Sequence, residues 1–313
     1  MEVIVKIRGG LGNQLFQYAY AKKIAEEYGA DSIILDTSYF NNPHIRGLDI
    51  DKYDLPSNVH LSNKSNKIFD MAYFLYRVSD KIYFRFTQKH RGESKLMAKF
   101  GFVFCDKSIQ EEYDFDGLKR IYFAGYFQDE KSIREICKTI DNDLVLRNYV
   151  SLEAEKYRTE ITQAEDCIGV SIRIGDDYKK FGWPVCQREF YEAGVQTIAR
   201  TTGCKKVFVF SDRIDKVEKE GWFSTYETTF VKGCNAVEGL DLLKKCHHFV
   251  VANSTFSWWG AYLSSCKDKM IIAPRFFYSG ITMEDSKIHL DDAIYLDNTS
   301  GEKISDIYRS SEI

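Results

Sequence analysis

Residues 167–178 run Cys-Ile-Gly-Val-Ser-Ile-Arg-Ile-Gly-Asp-Asp-Tyr, and the fold turns on how they are read. Ile168, Val170, Ile172 and Ile174 alternate with Gly169, Ser171 and Arg173, which is the period of a strand. Gly175, Asp176 and Asp177 follow at once, so the strand gives way to a polar loop. Ser171 and Arg173 lie two apart and share the face opposite the isoleucines. An arginine at the end of a buried strand is costly unless an anion or a partner meets it. In an open α/β sheet, ligands bind just beyond the carboxyl ends of the strands. Arg173 is therefore an expected anion contact, with Asp176 or Asp177 beside the same crevice. The plainer alternative is a salt-bridged surface loop.

Downstream of this strand the alternation of strands and helices is clean. A helix is expected near 187–201, a strand at 207–210 ending in Ser211-Asp212, and helical residues at 238–245. A strand at 248–252 then runs into Asn253-Ser-Thr-Phe-Ser-Trp-Trp-Gly, which opens a helix, and a last strand occupies 270–273. This order implies a parallel sheet with right-handed crossovers, hence a Rossmann-like domain. Three strand ends would bring polar groups together: Ser171 with Arg173, Ser211 with Asp212, and Ser254, Thr255 and Ser257 at a helix start. A carboxylate such as Asp212 can accept from a guanine or from ribose hydroxyls. Hydroxyls and amides at a helix start, with one arginine, can neutralise a pyrophosphate without a metal. Taken singly, Ser211-Asp212 and Asn253-Ser254 would pass as helix caps.

Upstream, a strand at 2–7 is followed by Arg8-Gly-Gly-Leu-Gly-Asn-Gln and a helix closed by Gly29. A strand, a glycine-rich turn and a helix can hold an anion on backbone amides, which makes Gly12 and Asn13 candidates. The pattern is not the dinucleotide fingerprint, because Leu15 stands where a third glycine belongs. Ile33–Leu35 reads as a second strand. Residues 40–120 yield mainly aromatic-rich helices around 66–86, whose stripe is expected to be core. A strand from Ile121 ends at Gln128-Asp129, which could touch an acceptor or cap the helix at 130–140. The domain boundary is expected within 141–165, where a charged helix spans 151–164.

The chain has 313 residues, which suits two domains, placed here at 1–150 and 151–313. A hydrophobic content of 44% suffices for packed cores, and a net charge of −3 implies no general attraction to nucleic acid. The N-terminus is too short and charged for a secretion signal, and no apolar run would span a membrane. Eight scattered cysteines without a Cys-x-x-Cys pair suit a reducing cytosol. Asp-x-Asp at 49–51, 114–116 and 141–143 ends no clear strand, so a metal-holding pair is not expected and no cofactor is implied.

The opening Gly10-Leu-Gly-Asn-Gln-Leu-Phe-Gln-Tyr-Ala resembles that of the alpha-1,2-fucosyltransferases, glycosyltransferase family 11. Gly125-Tyr-Phe-Gln, Phe210-Ser-Asp and above all Asn253-Ser-Thr-Phe-Ser-Trp-Trp-Gly-Ala resemble further segments of that family, in the right order. The resemblance implies an α/β, two-domain GT-B-like glycosyltransferase with an acceptor-side N-terminal domain. Its C-terminal domain would hold GDP-fucose, the donor substrate. It also implies inverting transfer of L-fucose to the 2-hydroxyl of a galactoside, without a metal. The family's central His-x-Arg-Arg-Gly-Asp-Tyr stands here as Ser171-Ile-Arg-Ile-Gly-Asp-Asp-Tyr, with serine for the histidine and isoleucine for the second arginine. Arg173 inherits the contact to the donor's phosphates, and Ser171 replaces the histidine only in part.

In such a transfer negative charge gathers on the departing phosphate, where Arg173 and the amides near Ser257 and Trp258 would stabilise it. Asp176 is the first candidate for general base, then Asp177, then Glu238. Tyr126 and Gln128 are the acceptor-side candidates. The partners implied are a nucleotide sugar and an oligosaccharide or lipid-linked glycan. That acceptor would be met by a bacterial cytoplasmic enzyme, peripherally, at the inner membrane face. A different donor on the same fold, a catalytically silent glycan- or nucleotide-binding protein, and an NAD-type oxidoreductase are the alternatives. The last lacks both the fingerprint and an acidic ribose contact.

Overall fold

The computed structural model describes residues 1–45, 47–87, 95–105, 113–147, 151–175, 183, 185–278, 280–283 and 285–303. The chain divides into two compact units, Met1–Asn148 and Tyr149–Ile313, and each is an α/β unit on a parallel sheet. Two such units in succession are what a GT-B-like chain is composed of.

In the first unit, β1 (Glu2–Lys6), β2 (Ser32–Asp36), β3 (Val59–Ser62), β4 (Phe102–Cys105) and β5 (Arg120–Gly125) pair in the order β3-β2-β1-β5-β4. Every pairing is parallel, so the chain must cross back between neighbours. Helices α1 (Leu11–Glu27), α2 (Lys67–Thr87), α3 (Lys95–Ala98) and α4 (Glu130–Ile140) lie between or after these strands. Strands β3 and β4 fall within 40–120, where the sequence shows no clear alternation. Helix α1 is buried on nearly every side, which is why its apolar residues form no single stripe.

Buried polar groups must be hydrogen-bonded, and two glutamines of α1 show how the unit is pinned. Gln17 accepts the Arg8 N–H at 3.0 Å and donates to the Gly125 carbonyl at 2.9 Å, tying the end of β1 to the end of β5. Gln14 donates to the Gly9 carbonyl and accepts the N–H groups of Asp49 and Ile50. A Cβ on Gly125 would lie 1.7 Å from the Cys105 carbonyl oxygen, so only glycine lets β4 and β5 pair there. The aromatic stripe of α2 is core on one side only. Phe69, Tyr73 and Tyr76 pack against Phe104, while Ile68, Met71, Leu75 and Phe86 point outward.

In the second unit β6 (Ile168–Ile172), β7 (Lys206–Ser211), β8 (Glu227–Phe230), β9 (His248–Val251), β10 (Ile271–Pro274) and β13 (Ile294–Leu296) form a parallel sheet. The order is β13-β10-β9-β6-β7-β8, and β11 (Phe276–Tyr278) and β12 (Ile281–Thr282) make a separate antiparallel pair. Counted from the start of the unit, the six strands stand 3-2-1-4-5-6, the doubly wound dinucleotide order. Helices α5 (Leu152–Gln163), α6 (Arg188–Thr202), α7 (Ile214–Lys219), α8 (Ala236–Leu243) and α9 (Thr255–Tyr262) complete it. All of β6 is buried, as its central place requires. The strand stops at Ile172 rather than 174, because the N–H groups of Ile174 and Gly175 turn away to Asp212. Among the described residues, no helix is long and apolar enough to cross a membrane.

Candidate functional site

The strand order of the second unit reverses between β6 and β9, and there the ends of neighbouring strands part to leave a crevice. Register puts Ile172 of β6 beside Ser211 of β7, and Ser171 beside Val251 of β9. The three polar strand ends picked out in sequence are therefore brought together. Arg173 Nη1 meets Asp212 Oδ2 at 3.0 Å, with the two side chains 16% and 18% exposed. The same carboxylate accepts the N–H of Ile174 at 3.1 Å and of Gly175 at 3.0 Å. Tyr191 of α6 accepts the Arg173 N–H at 3.2 Å. Asp212 thus clamps the loop that leaves β6 and fixes the direction of the guanidinium. A carboxylate offers about four lone-pair sites, and three donors already occupy this one.

Across the reversal, the Ser171 and Ser257 hydroxyls bond each other at 2.7 Å, both deeply buried. Helix α9 starts at this point, with Ser254 as its N-cap residue. Ser254 and Thr255 are partly exposed at the crevice, whereas Ser257 and Trp258 lie behind them in the core. The Trp258 amide donates to the Ser254 carbonyl at 2.9 Å, so it belongs to the helix ladder and not to the anion-facing first turn. The Trp258 ring stacks on Tyr262 at 4.2 Å, a packing contact. Ser211 accepts the Arg213 N–H and shapes the turn after β7. Asn253 donates to the Phe277 carbonyl and is also structural. Glu238 accepts the Asn235 N–H, closing a capping box at the start of α8, and also accepts the Ser151 N–H. Asp176 and Asp177 lie outside the described residues.

The first unit has its own reversal, between β1 and β5. The turn after β1 uses Gly9 at φ +81°, and α1 then begins at Leu11, which places Gly12 and Asn13 in its first turn. After β5, Phe127 sits at φ +50°, a conformation costly for a bulky residue. Its ring is buried and stacks on Tyr20 at 4.6 Å. With Phe127 turned inward, Tyr126 and Gln128 remain at the surface. Gln128 Nε2 donates to Asn13 Oδ1 at 2.8 Å, so an acceptor-side and a donor-side candidate share one hydrogen bond. Arg8 lies 4.3 Å from the Tyr126 ring centre and 5.6 Å from that of Tyr73, and its Nη1 donates to the Tyr73 hydroxyl at 2.6 Å. Asp129 does not join them; its carboxylate caps α4.

Arg8, Tyr73 and Tyr191 are not singled out as site residues in sequence: Arg8 heads the glycine-rich turn, Tyr73 reads as part of a core aromatic stripe and Tyr191 as part of a helix, and only the pairing of distant segments brings them to a crevice. Of the Asp-x-Asp pairs, Asp143 bonds the Tyr18 hydroxyl and Lys22, and burial with that carboxylate pushes the Tyr18 phenol far above its ordinary range. Asp49 pairs with Lys52, and Asp114 accepts the Asp116 N–H.

A doubly wound unit with a guanidinium and a helix start at its reversal point is an architecture that can hold the phosphates of a nucleotide. The model of Glycosyl transferase family 11 matches residues 105–302, more than half the chain, and the chain belongs to this family of glycosyltransferases. Two curated proteins of Escherichia coli are similar to it. The O-antigen biosynthesis glycosyltransferase WbnK is 26% identical over 93% of this chain and 99% of its own length. An alpha-1,2-colitosyltransferase is 27% identical over 87% of this chain and 91% of its own. Among solved structures, the fucosyltransferase NodZ from Bradyrhizobium aligns with a TM-score of 0.49 at 15% identity, over 83% of this chain and 91% of that one.

Proposed function

We propose that the chain moves L-fucose from GDP-fucose to the 2-hydroxyl of a galactoside in an oligosaccharide, with inversion at the anomeric carbon. The observation that carries this is the convergence at the β6/β9 reversal: Arg173 held by Asp212, beside the start of α9 and the Ser171–Ser257 pair. In this reading the second unit binds the nucleotide sugar and the first binds the acceptor. As the bond to the sugar breaks, charge builds on the β-phosphate, and Arg173 with the first-turn amides of α9 stabilises it. Fixed donors of this kind lower the barrier because they need not reorganise. Asp176 or Asp177 takes the proton of the acceptor hydroxyl. No cation is assigned a role, so turnover should withstand EDTA. By the name of one relative, the product would belong to a bacterial O-antigen, and a lipid-linked acceptor would be met at the inner membrane face.

One observation favours a second donor on the same fold. Ser171 replaces the family's histidine and closes onto Ser257, and one relative is named for colitose rather than fucose. An acceptor array supplied with GDP-, UDP- and ADP-sugars, followed by linkage analysis, separates the readings. Transfer from GDP-fucose with an alpha-1,2 linkage supports the first. Preference for a UDP-sugar overturns it, and donor binding without any transfer or release would show a silent binding protein.

A further inference from the structure

Helix α2 has two apolar faces. At about 100° per residue, Phe69, Tyr73, Tyr76 and Asp80 fall on one side, and this side packs on β4 and β5. On the opposite side Ile68, Met71, Leu75, Val78, Ile82 and Phe86 fall within an arc of roughly 80°. These six are between 37% and 81% exposed, and Phe74 and Tyr83 widen the stripe at its edges. Exposed apolar patches of this extent are uncommon on soluble chains unless something covers them.

Charge says what covers this one. Lys67, Lys81 and Arg85 line one edge of the stripe. Both acids of the helix are turned from it: Asp70 bonds Lys6 and Ser65, and Asp80 is buried. Residues 64–87 hold five Lys and Arg against two Asp, in a chain whose net charge is −3, leaving the remainder at −6. A second copy packed antiparallel would set Lys67 against Arg85 with no outward carboxylate between them. An anionic bilayer surface, by contrast, complements both the cations and the apolar stripe. Phenylalanine and tyrosine suit the interfacial depth. The six charged residues of α2 prevent it from spanning.

We infer that the outward face of α2 is a membrane-binding surface, on which the helix lies in the plane of a bilayer with anionic headgroups. This rests on the proposed function only for its purpose, which is to bring the first unit to a lipid-linked acceptor; the surface itself is argued from α2 alone.

The test is flotation of the full chain, without nucleotide sugar, on vesicles of phosphatidylcholine with and without phosphatidylglycerol. The intact chain should partition at least about tenfold better onto the anionic vesicles and be released by high salt. Leu75→Gln, Ile82→Gln and Phe86→Gln together should lower partition at least about tenfold. Lys67→Gln, Lys81→Gln and Arg85→Gln together should abolish the preference for anionic lipid. Both variants should keep the melting temperature and the turnover on a water-soluble acceptor, so a loss of transfer would be read apart from a loss of binding. Failure of the intact chain to float on anionic vesicles overturns the inference, as does unchanged partition of the apolar variant. A dimer in sedimentation that the apolar variant dissociates, without vesicle binding, would make a second copy the occupant and overturn it too.

Discussion

The two units carry the same device at their reversal points and fill it with different chemistry. In the second, an arginine leaves the central strand and is caught by a carboxylate, two loop amides share that carboxylate, and a helix N-terminus stands alongside. In the first, an arginine also follows the central strand, but it lies on two tyrosine rings, beside an Asn–Gln amide pair. A charged, amide-rich crevice suits a diphosphate. Aromatic faces and neutral amides suit the apolar faces and hydroxyl edges of a sugar. On the proposed reading, two parallel sheets that each reverse direction once would serve two ligand classes, because the residues just after a strand are the part of the fold that packing does not dictate.

The largest expected effect tests whether the charged crevice carries the chemistry. Arg173→Ala should lower kcat at least about a hundredfold, the usual cost of deleting a preorganised donor to a developing anion. The chain should stay folded, since Asp212 keeps its two amide donors. Arg8→Ala should act mainly on KM for the acceptor, by about tenfold. If the two results were exchanged, the assignment of ligands to crevices would be reversed.

Asp212→Asn comes next. The substitution keeps an oxygen for one loop amide but loses the ion pair that aims Arg173. A fall of about tenfold in kcat is expected, near 1.4 kcal/mol of barrier, with a smaller change in donor KM. Steady-state kinetics over a range of GDP-fucose concentrations decides it; an effect confined to donor KM would mean that Asp212 touches the nucleotide directly. Gln128→Ala should raise acceptor KM by only a few-fold, about 1 kcal/mol for one neutral hydrogen bond. No change in acceptor KM would separate Gln128 from the acceptor.

What was legible in sequence follows from what each segment is packed against. Strand β6 is buried throughout and flanked by βα units, so its alternation and the downstream elements could be read nearly to their ends. Strands β8 and β13 stand at the sheet edges and are short, so they carry too little pattern to be seen. Helix α2 misled for a different reason: composition shows an aromatic stripe but not that a second, mainly aliphatic stripe lies on the opposite face. At the site, the residue types were legible and their partners were not. Asp212 looks in sequence like a ligand contact or a cap, and only the register of β6 with β7 makes it the clamp of Arg173. Glutamines 14 and 17 stand in the opening motif beside Asn13, yet their hydrogen bonds are all to backbone. That part of the motif builds the turn rather than meeting a ligand.

The smallest expected effect concerns the substitution that sets this chain apart from its family's central motif. Ser171 and Ser257 are 86 residues apart and close on each other beneath the crevice. Ser171→Ala would leave the buried Ser257 hydroxyl short of a partner, at about 1 kcal/mol. The melting temperature should fall by a few degrees. Turnover and donor KM should change less than about threefold, because the pair joins β6 to α9 from below and Arg173 keeps its own clamp. If instead GDP-fucose KM rose about tenfold while the melting temperature held, Ser171 would be a donor contact in the histidine's place. The second crevice would then reach one layer deeper than Arg173 and the start of α9.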